Sequence, residues 1–519
     1  MENYTKDMRQ ATRMQAPVCD RQTVTELSSD VALPDYQPEI KRLLRVCATV
    51  TPADKYVGSG SVEISGRVDY HIWYCGNDGA LYCATQGEEY HVTVPMEVGQ
   101  DFEVGNGLLC DVDVVADMAA GRVLAPRKLS LKCRLRSRVR VLGTLVIEES
   151  VKCKDGEKAS ALPLQRLHQT VKSARVCVGK SSPIHLGEEI LLESGMGDLR
   201  VIDTVGKVFI TDAEAGSGNV NCRGEVCLKL LCAREGEQDV ITLLRRVPFS
   251  SAVEVDGAEV NCECCADGVC TETRVTVEEN RLTCDMTVYL HARAQRNDSL
   301  TLTRDLYAID AECHIGEREL TAPVAIKCFN GNFSLNETLS LESAGIKAGQ
   351  RVLDISGTPT VTSLENEKGR LYWNGKCRYQ VTLQGEDEMG LREFEIPFRY
   401  EVEAGTQMLP VDHDTRVELI SCRARMDGER IAVDAELSVA SAVRGEEKVR
   451  VASEVALGAP VARSASAYTV CYPAMGDTLW SVAKRYCRPV EQISQQNGLP
   501  GAFAADSAQS LDGVTYLLV

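Results

Sequence analysis

Ser61–Tyr74 reads SVEISGRVDYHIWY, and its apolar side chains fall on every second position: Val68, Tyr70, Ile72 and Tyr74. That period of two is a strand with one buried face. Gly66 interrupts the pattern, as glycine does at a bulge or where another backbone comes close. Two more stretches share this layout. They are NVNCRGEVCLKLLC (Asn219–Cys232) around Gly224 and RLYWNGKCRYQVTL (Arg370–Leu383) around Gly375.

Working outward, each glycine follows an Arg-apolar-apolar triplet by 24 positions: Arg42-Leu43-Leu44, Arg200-Val201-Ile202 and Arg351-Val352-Leu353. An aliphatic-Pro-apolar triplet comes later, as Val94-Pro95-Met96, Val247-Pro248-Phe249 and Ile396-Pro397-Phe398. The glycine-to-proline distances are 29, 24 and 22 residues, which a hairpin loop of changing length would explain. Proline itself suggests a strand start or an edge strand. A basic residue stands 33 positions after each proline (Lys128, Arg281, Arg430) and opens another alternating strand, such as Leu129, Leu131, Cys133, Leu135 and Val139. Two fixed spacings that recur three times mark an internal repeat.

The fold class expected is mainly β: three tandem β-rich modules, each an antiparallel sandwich or barrel-like unit, and a small C-terminal βααβ module. The expected boundaries are a leader at 1–30, modules at 31–150, 186–310 and 335–455, a Lys/Ser-rich linker at 151–185, a hinge near 455–466 and the last module at 466–519. A chain of 519 residues is too long for one core, and 44% apolar content fills several. The net charge of −18 weighs against nucleic-acid binding. The N-terminus has no apolar signal core and no run of 18 apolar residues occurs, so a cytosolic protein without a membrane span is expected. Its 22 cysteines are then expected as packed free thiols, as at Cys222, Cys227 and Cys284.

The C-terminal stretch breaks the pattern. Tyr468–Tyr472 suggests a strand, Asp477 a helix N-cap, and Leu479, Val482, Ala483 and Tyr486 one helical face. Pro489 suits the first turn of a second helix, which Asn497-Gly498 would end, and Tyr516–Val519 closes as a strand. YTV, GDTLWSVAKRY, EQISQQNGL and YLLV together resemble the LysM module. The resemblance implies a groove for N-acetylglucosamine polymers, lined by Gly476, Asp477, Thr478, Leu479 and Trp480 on one side and by Asn497, Gly498 and Leu499 on the other. The alternative for these residues is core and cap. The run CYPAM and the turn Leu511-Asp512-Gly513 depart from the common form beside that groove.

With LPDYQPEIKRLL (Leu33–Leu44), the Arg/Gly/Pro landmarks and the C-terminal module in place, the chain resembles the SPOCS-domain spore coat proteins of the SipL type. The resemblance implies a non-enzymatic adaptor in spore coat assembly. It would act in the mother-cell cytoplasm at the forespore surface, binding the basal coat ATPase SpoIVA and other coat proteins. The alternative is a peptidoglycan binder that uses LysM, with the β modules as spacers.

No catalytic constellation is present. Gly179-Lys180-Ser181 ends like a phosphate loop, but Ala174 stands where its first glycine should be. HExxH and GxSxG are absent. His413 between Asp412 and Asp414 reads better as a solvated loop than as a cation site. Cys262, Cys264, Cys265 and Cys270 are numerous enough for zinc, but Cys265 should point away from Cys262 and Cys264 on a strand. No metal site and no cofactor is expected. Lys128, Lys132, Arg134, Arg136, Arg138 and Arg140 share one strand face and make a basic stripe roughly 40 Å long. Either acids on neighbouring strands, such as Asp111 and Asp113, neutralise it, or it docks an acidic partner or anionic surface.

Overall fold

Alternation carries most of the chain into strands. The structure, a computed structural model, describes residues 4–103, 107–154, 164–192, 199–234, 240–278, 281–309, 311–385, 388–461, 469–500 and 507–519. The first group of strands is β1 (Tyr4–Ala32), β2 (Ile40–Val50), β3 (Asp54–Val57), β4 (Ser61–Gly76), β5 (Leu81–Pro95), β6 (Leu109–Ala125) and β7 (Lys128–Lys154). The second is β8 (Leu164–Lys180), β9 (Ile184–Leu191), β10 (Leu199–Ala215), β11 (Asn219–Arg234), β12 (Val240–Glu254), β13 (Glu263–Glu278) and β14 (Arg281–Ala308). The third is β15 (Ala311–Ser340), β16 (Arg351–Glu367), β17 (Arg370–Gln384), β18 (Met389–Glu403), β19 (Asp412–Asp427) and β20 (Arg430–Pro460).

One connectivity occurs in all three groups. The middle strands form a meander, β2-β4-β5, β10-β11-β12 and β16-β17-β18, with β3 also on β4. The outer strands form a second sheet centred on β7, β14 or β20, flanked by β1 and β6, by β8, β9 and β13, or by β15 and β19. The two sheets of a group face each other as a sandwich. In the first, Val68, Tyr70, Ile72 and Tyr74 pack in one core with Leu129, Leu131, Cys133, Leu135 and Val139. Each large apolar side chain buried this fully contributes about 1.5–3 kcal/mol.

The strand glycines each lie directly across from an aromatic ring: Gly66 from Tyr90, Gly224 from Phe249 and Gly375 from Phe398. A Cβ would strike that ring at Gly66 and Gly375, and the Phe209 carbonyl at Gly224. In the second and third sandwiches the strand on the other side is bulged beside the glycine, between Ile210 and Asp212 and between Val361 and Ser363. Sequence spacing mispairs one landmark. Pro248 and Pro397 sit one residue from the aromatic, whereas Pro95 ends β5 opposite Ser61. The counterpart in the first sandwich is Tyr90, so the outlying distance of 29 comes from the choice of landmark, while the 24 and 22 of the other two differ by the length of the hairpin loop, as expected.

Two stretches set apart on sequence as leader and linker contain strands. β1 pairs with β7 along its length, and β8 pairs with β14. Such flanking strands read poorly because their inner faces pack partly on other sandwiches, as Met14 and Val171 do in a shared cluster. At Ser181 the flanking strand breaks before Pro183, and the Ser181 hydroxyl accepts from the Leu290 N–H at 2.7 Å.

The sandwiches pack in a cyclic arrangement. Leu44, Ile202 and Leu353, the third residues of the three Arg triplets, meet in one cluster with Trp73, Leu231 and Met389. Along the outer strands, Met14, Leu145, Val171, Leu302, Leu320 and Val449 form another cluster drawn from all three. The β7 and β20 ends join as a short parallel pair, Ser150–Lys152 with Glu454–Ala456.

After the third sandwich come β21 (Val470–Cys471), α1 (Leu479–Arg485), α2 (Val490–Gln496) and β22 (Leu517–Leu518), in βααβ order. Residues 466–468 of the expected module lie outside the described residues. The cap of α1 is Thr478, not Asp477: Thr478 and Ser481 exchange side-chain and backbone bonds in a capping box. Gly498, at φ +58°, follows α2 as expected.

Candidate functional site

The βααβ unit does not hang free. Asp305, near the end of β14, accepts the Trp480 indole N–H at 2.8 Å and the Lys484 ammonium at 2.7 and 2.9 Å. Tyr307, two residues on, stacks edge-on with Trp480 at 4.9 Å and donates its hydroxyl to the Arg488 carbonyl at 2.7 Å. Leu167 of β8 packs on the same cluster. Neither Asp305 nor Tyr307 was singled out on sequence, because both lie in an ordinary strand alternation far along the chain from the unit they hold.

The groove residues inferred from the LysM resemblance are heavily used within the unit. Leu479 is core, and Trp480 faces the second sandwich. Asp477 accepts from the Ala474 N–H, the Arg485 guanidinium and the Ser481 hydroxyl, and the first two hold its carboxyl below the usual range. Backbone bonds from Leu511 to Asp477 and from Trp480 to Ser507 lay the segment after α2 alongside Asp477–Trp480. On the other side, Asn497 clamps Leu518 through both its N–H and its carbonyl. Gly476 is a positive-φ turn at +87°, and Leu499 packs partly on the core.

Several apolar side chains of the unit are left exposed. Tyr472 is 72% exposed, Met475 99%, Tyr516 57% and Val470 49%. Continuing the Val470–Leu518 and Cys471–Leu517 register by one residue sets Tyr472 across from Tyr516. Sequence could have flagged Met475, an apolar residue within a polar turn.

The basic stripe divides into two. Arg138 and Arg140 turn inward between sandwiches. Arg138 bonds Asp20 and Asp412 at 3.0 and 2.7 Å, and Arg140 bonds the same two at 3.0 and 2.6 Å and also meets Asp414. Arg444 joins them on Asp412 and Asp414. Acids do neutralise this half, but not Asp111 and Asp113, although these lie opposite Arg140 and Arg138 in the register. Asp111 bonds Arg293 and Asp113 faces Arg416. Lys128 pairs with Asp30 and Arg136 with Asp117, while Lys132 and Arg134 are exposed.

Other candidates resolve into packing. Asp412 and Asp414 are held by arginines; burial and the Arg138 charge lower the pKa of His413 between them. Lys180 donates to the Pro52 and Ala53 carbonyls of the first sandwich. Cys264 and Cys270 enter the second core, whereas Cys265 faces Cys328 and Ala442 of the third sandwich, so the thiols point apart as expected. Burial pushes the Cys222 and Cys264 thiols up to about 12 and Cys284 to about 11. Thiols so raised are poor nucleophiles at neutral pH.

Among the described residues no helix is long and apolar enough to cross a membrane. No curated protein and no solved structure matches the chain. Residues 199–278 match the family described as SipL, SPOCS domain. These residues span β10 to β13, the meander and the first outer hairpin strand of the second sandwich, including Gly224 and Phe249. Within the second sandwich the chain therefore carries a stretch similar to the SPOCS domain of the SipL type, a sporulation-associated family.

Proposed function

We propose that the chain is a non-enzymatic adaptor in spore coat assembly that acts at the forespore surface in the mother-cell cytoplasm. It binds the basal coat ATPase SpoIVA and positions other coat proteins. The observation that carries this is the set of exposed apolar side chains on the C-terminal unit: Val470, Tyr472, Met475 and Tyr516 stand exposed while Trp480 and Lys484 are occupied by Asp305. Aromatic and methionine side chains in an exposed patch suit a protein partner. The LysM-type sugar groove has less to offer, because Asp477, Thr478 and Asn497 spend their polar groups within the unit. The three sandwiches then serve as a rigid body that carries this unit.

The test uses the full chain against purified basal coat ATPase and against N-acetylglucosamine oligomers. The expected result is ATPase binding that weakens at least about tenfold in Tyr472→Ala/Met475→Ser, the scale of a binding hot spot, and no oligomer binding. Oligomer binding without ATPase binding would replace this proposal with the peptidoglycan reading.

A further inference from the structure

The first and second sandwiches meet through an unusual buried carboxylate. Asp203 of β10 accepts from the His71 ring at 2.7 Å, from the Trp73 indole at 2.7 Å and from the Thr204 N–H at 2.9 Å. Among the described residues, the other buried acids each meet a permanent cation: Asp111 and Asp267 meet Arg293, Glu149 meets Arg166, and Asp354 meets Arg45 and Lys229. Asp203 meets no described Arg or Lys at ion-pair distance, only a histidine. Arg45 lies over the Trp73 ring at 3.9 Å, but its guanidinium is spent on Asp354 and Ser356.

The cyclic packing shows what a metal-free solution looks like. Counting from the strand glycine, His71 in the first sandwich corresponds to Lys229 in the second, and Asp203 corresponds to Asp354 in the third. Lys229 meets Asp354 as His71 meets Asp203. Cys83 lies opposite Trp73, where the second sandwich has Thr242 opposite Leu231. The first interface thus has histidine and cysteine where the second has lysine and threonine. The donor atoms of His71, Cys83 and Asp203 all lie within 4.8 Å of one another.

We propose that His71, Cys83 and Asp203 form a zinc-type divalent-metal site that pins the first sandwich to the second. Nitrogen, thiolate and carboxylate oxygen are the donor set zinc takes, in a tetrahedron whose fourth position is free for water. The His71 side chain, 21% exposed, leaves an opening on that side. Ligands of a tetrahedral zinc lie roughly 3.3 Å apart, given bonds of about 2.0 Å. The direct His71–Asp203 contact opens by about half an ångström to admit the ion on that geometry. Binding releases the Cys83 proton and clears the proton between His71 Nδ1 and Asp203, which leaves an imidazolium outright or moves to Nε2 in a neutral ring, and the metal supplies the permanent positive charge that Asp203 lacks. Cys47, directly opposite His71 in the register, is a further thiol on the same sheet face.

The experiment titrates the reduced, chelator-stripped full chain with cobalt(II), then measures zinc(II) affinity by competition with a chelating dye. One equivalent should bind with a thiolate-to-cobalt charge-transfer band and raise the thermal midpoint. Cys83→Ser should lose the band and bind roughly tenfold or more weakly. His71→Lys copies the neighbouring interface, so it should keep the circular dichroism and thermal midpoint of the metal-free parent while losing the site. Absence of a first equivalent, or a band unchanged in both variants, overturns the proposal. The first outcome leaves His71–Asp203 a simple ion pair, and the second places binding on other thiols.

Discussion

Asp305 illustrates how one side chain decides the position of a whole unit. Its two oxygens take an indole N–H and an ammonium from α1, and Tyr307 adds a ring contact and a hydroxyl bond. Asp305→Ala should weaken this attachment by about 1–2 kcal/mol, a charged hydrogen bond discounted because Lys484 is partly solvated. The expected readout is a red shift of Trp480 emission with unchanged far-ultraviolet dichroism, because the unit keeps its own core of Leu479, Val482, Ile493 and Leu517. Unchanged emission would mean that packing on Tyr307 suffices. Within the unit, Thr478→Ala removes the capping box and should cost about 1 kcal/mol. Faster amide exchange confined to α1 would report it.

At the scale of the element, the recurring glycine is a receptor for an aromatic ring from the next strand. Gly375 has Phe398 across from it and the Thr360 carbonyl close on the other side. Gly375→Ala should therefore destabilise the third sandwich by about 1–3 kcal/mol through overpacking, seen as a lower urea midpoint. Adding Phe398→Leu should recover part of that loss, since the ring is one of the two obstacles. No recovery would assign the cost to the backbone contact alone. The glycine spacing was legible in the sequence because it is fixed by strand register. Its aromatic partner was not, because register across a hairpin depends on turn geometry, and the proline that looked equivalent in the first sandwich lies elsewhere.

For the whole molecule, the outer sheets meet on a charged cluster. Burial alone would raise the Asp412 and Asp414 carboxyls, but the nearby Arg444 and Arg140 guanidiniums reverse this and hold both below the usual range. Asp267 is lowered in the same way, chiefly by Arg416. A folded pKa below the unfolded value of about 3.9 means the stabilisation is complete above that pH and lost as pH falls through the depressed values. The thermal midpoint should therefore fall steadily below about pH 4. Asp414→Asn should lower stability near neutrality by about 3 kcal/mol, as expected when one partner of a buried charge cluster is removed, and should make the acid dependence shallower. An equally steep acid limb in the variant would place the sensitive carboxylates elsewhere.

Sequence by itself determined the strand character, the buried faces of β4 and β7, and the order of the βααβ unit, because period and capping chemistry are local properties of neighbouring residues. Free thiols split between two faces of β13 were legible for the same reason. Only the tertiary structure decided that the leader and linker stretches contain flanking strands, that Arg138 and Arg140 serve Asp412 and Asp414, and that Trp480 turns toward Asp305. It also brought His71 and Cys83 to Asp203. These meetings join residues more than 90 positions apart, and no local pattern carries their distance. They follow from three sandwiches closing on one another, where each buried charge takes the partner that the closure supplies.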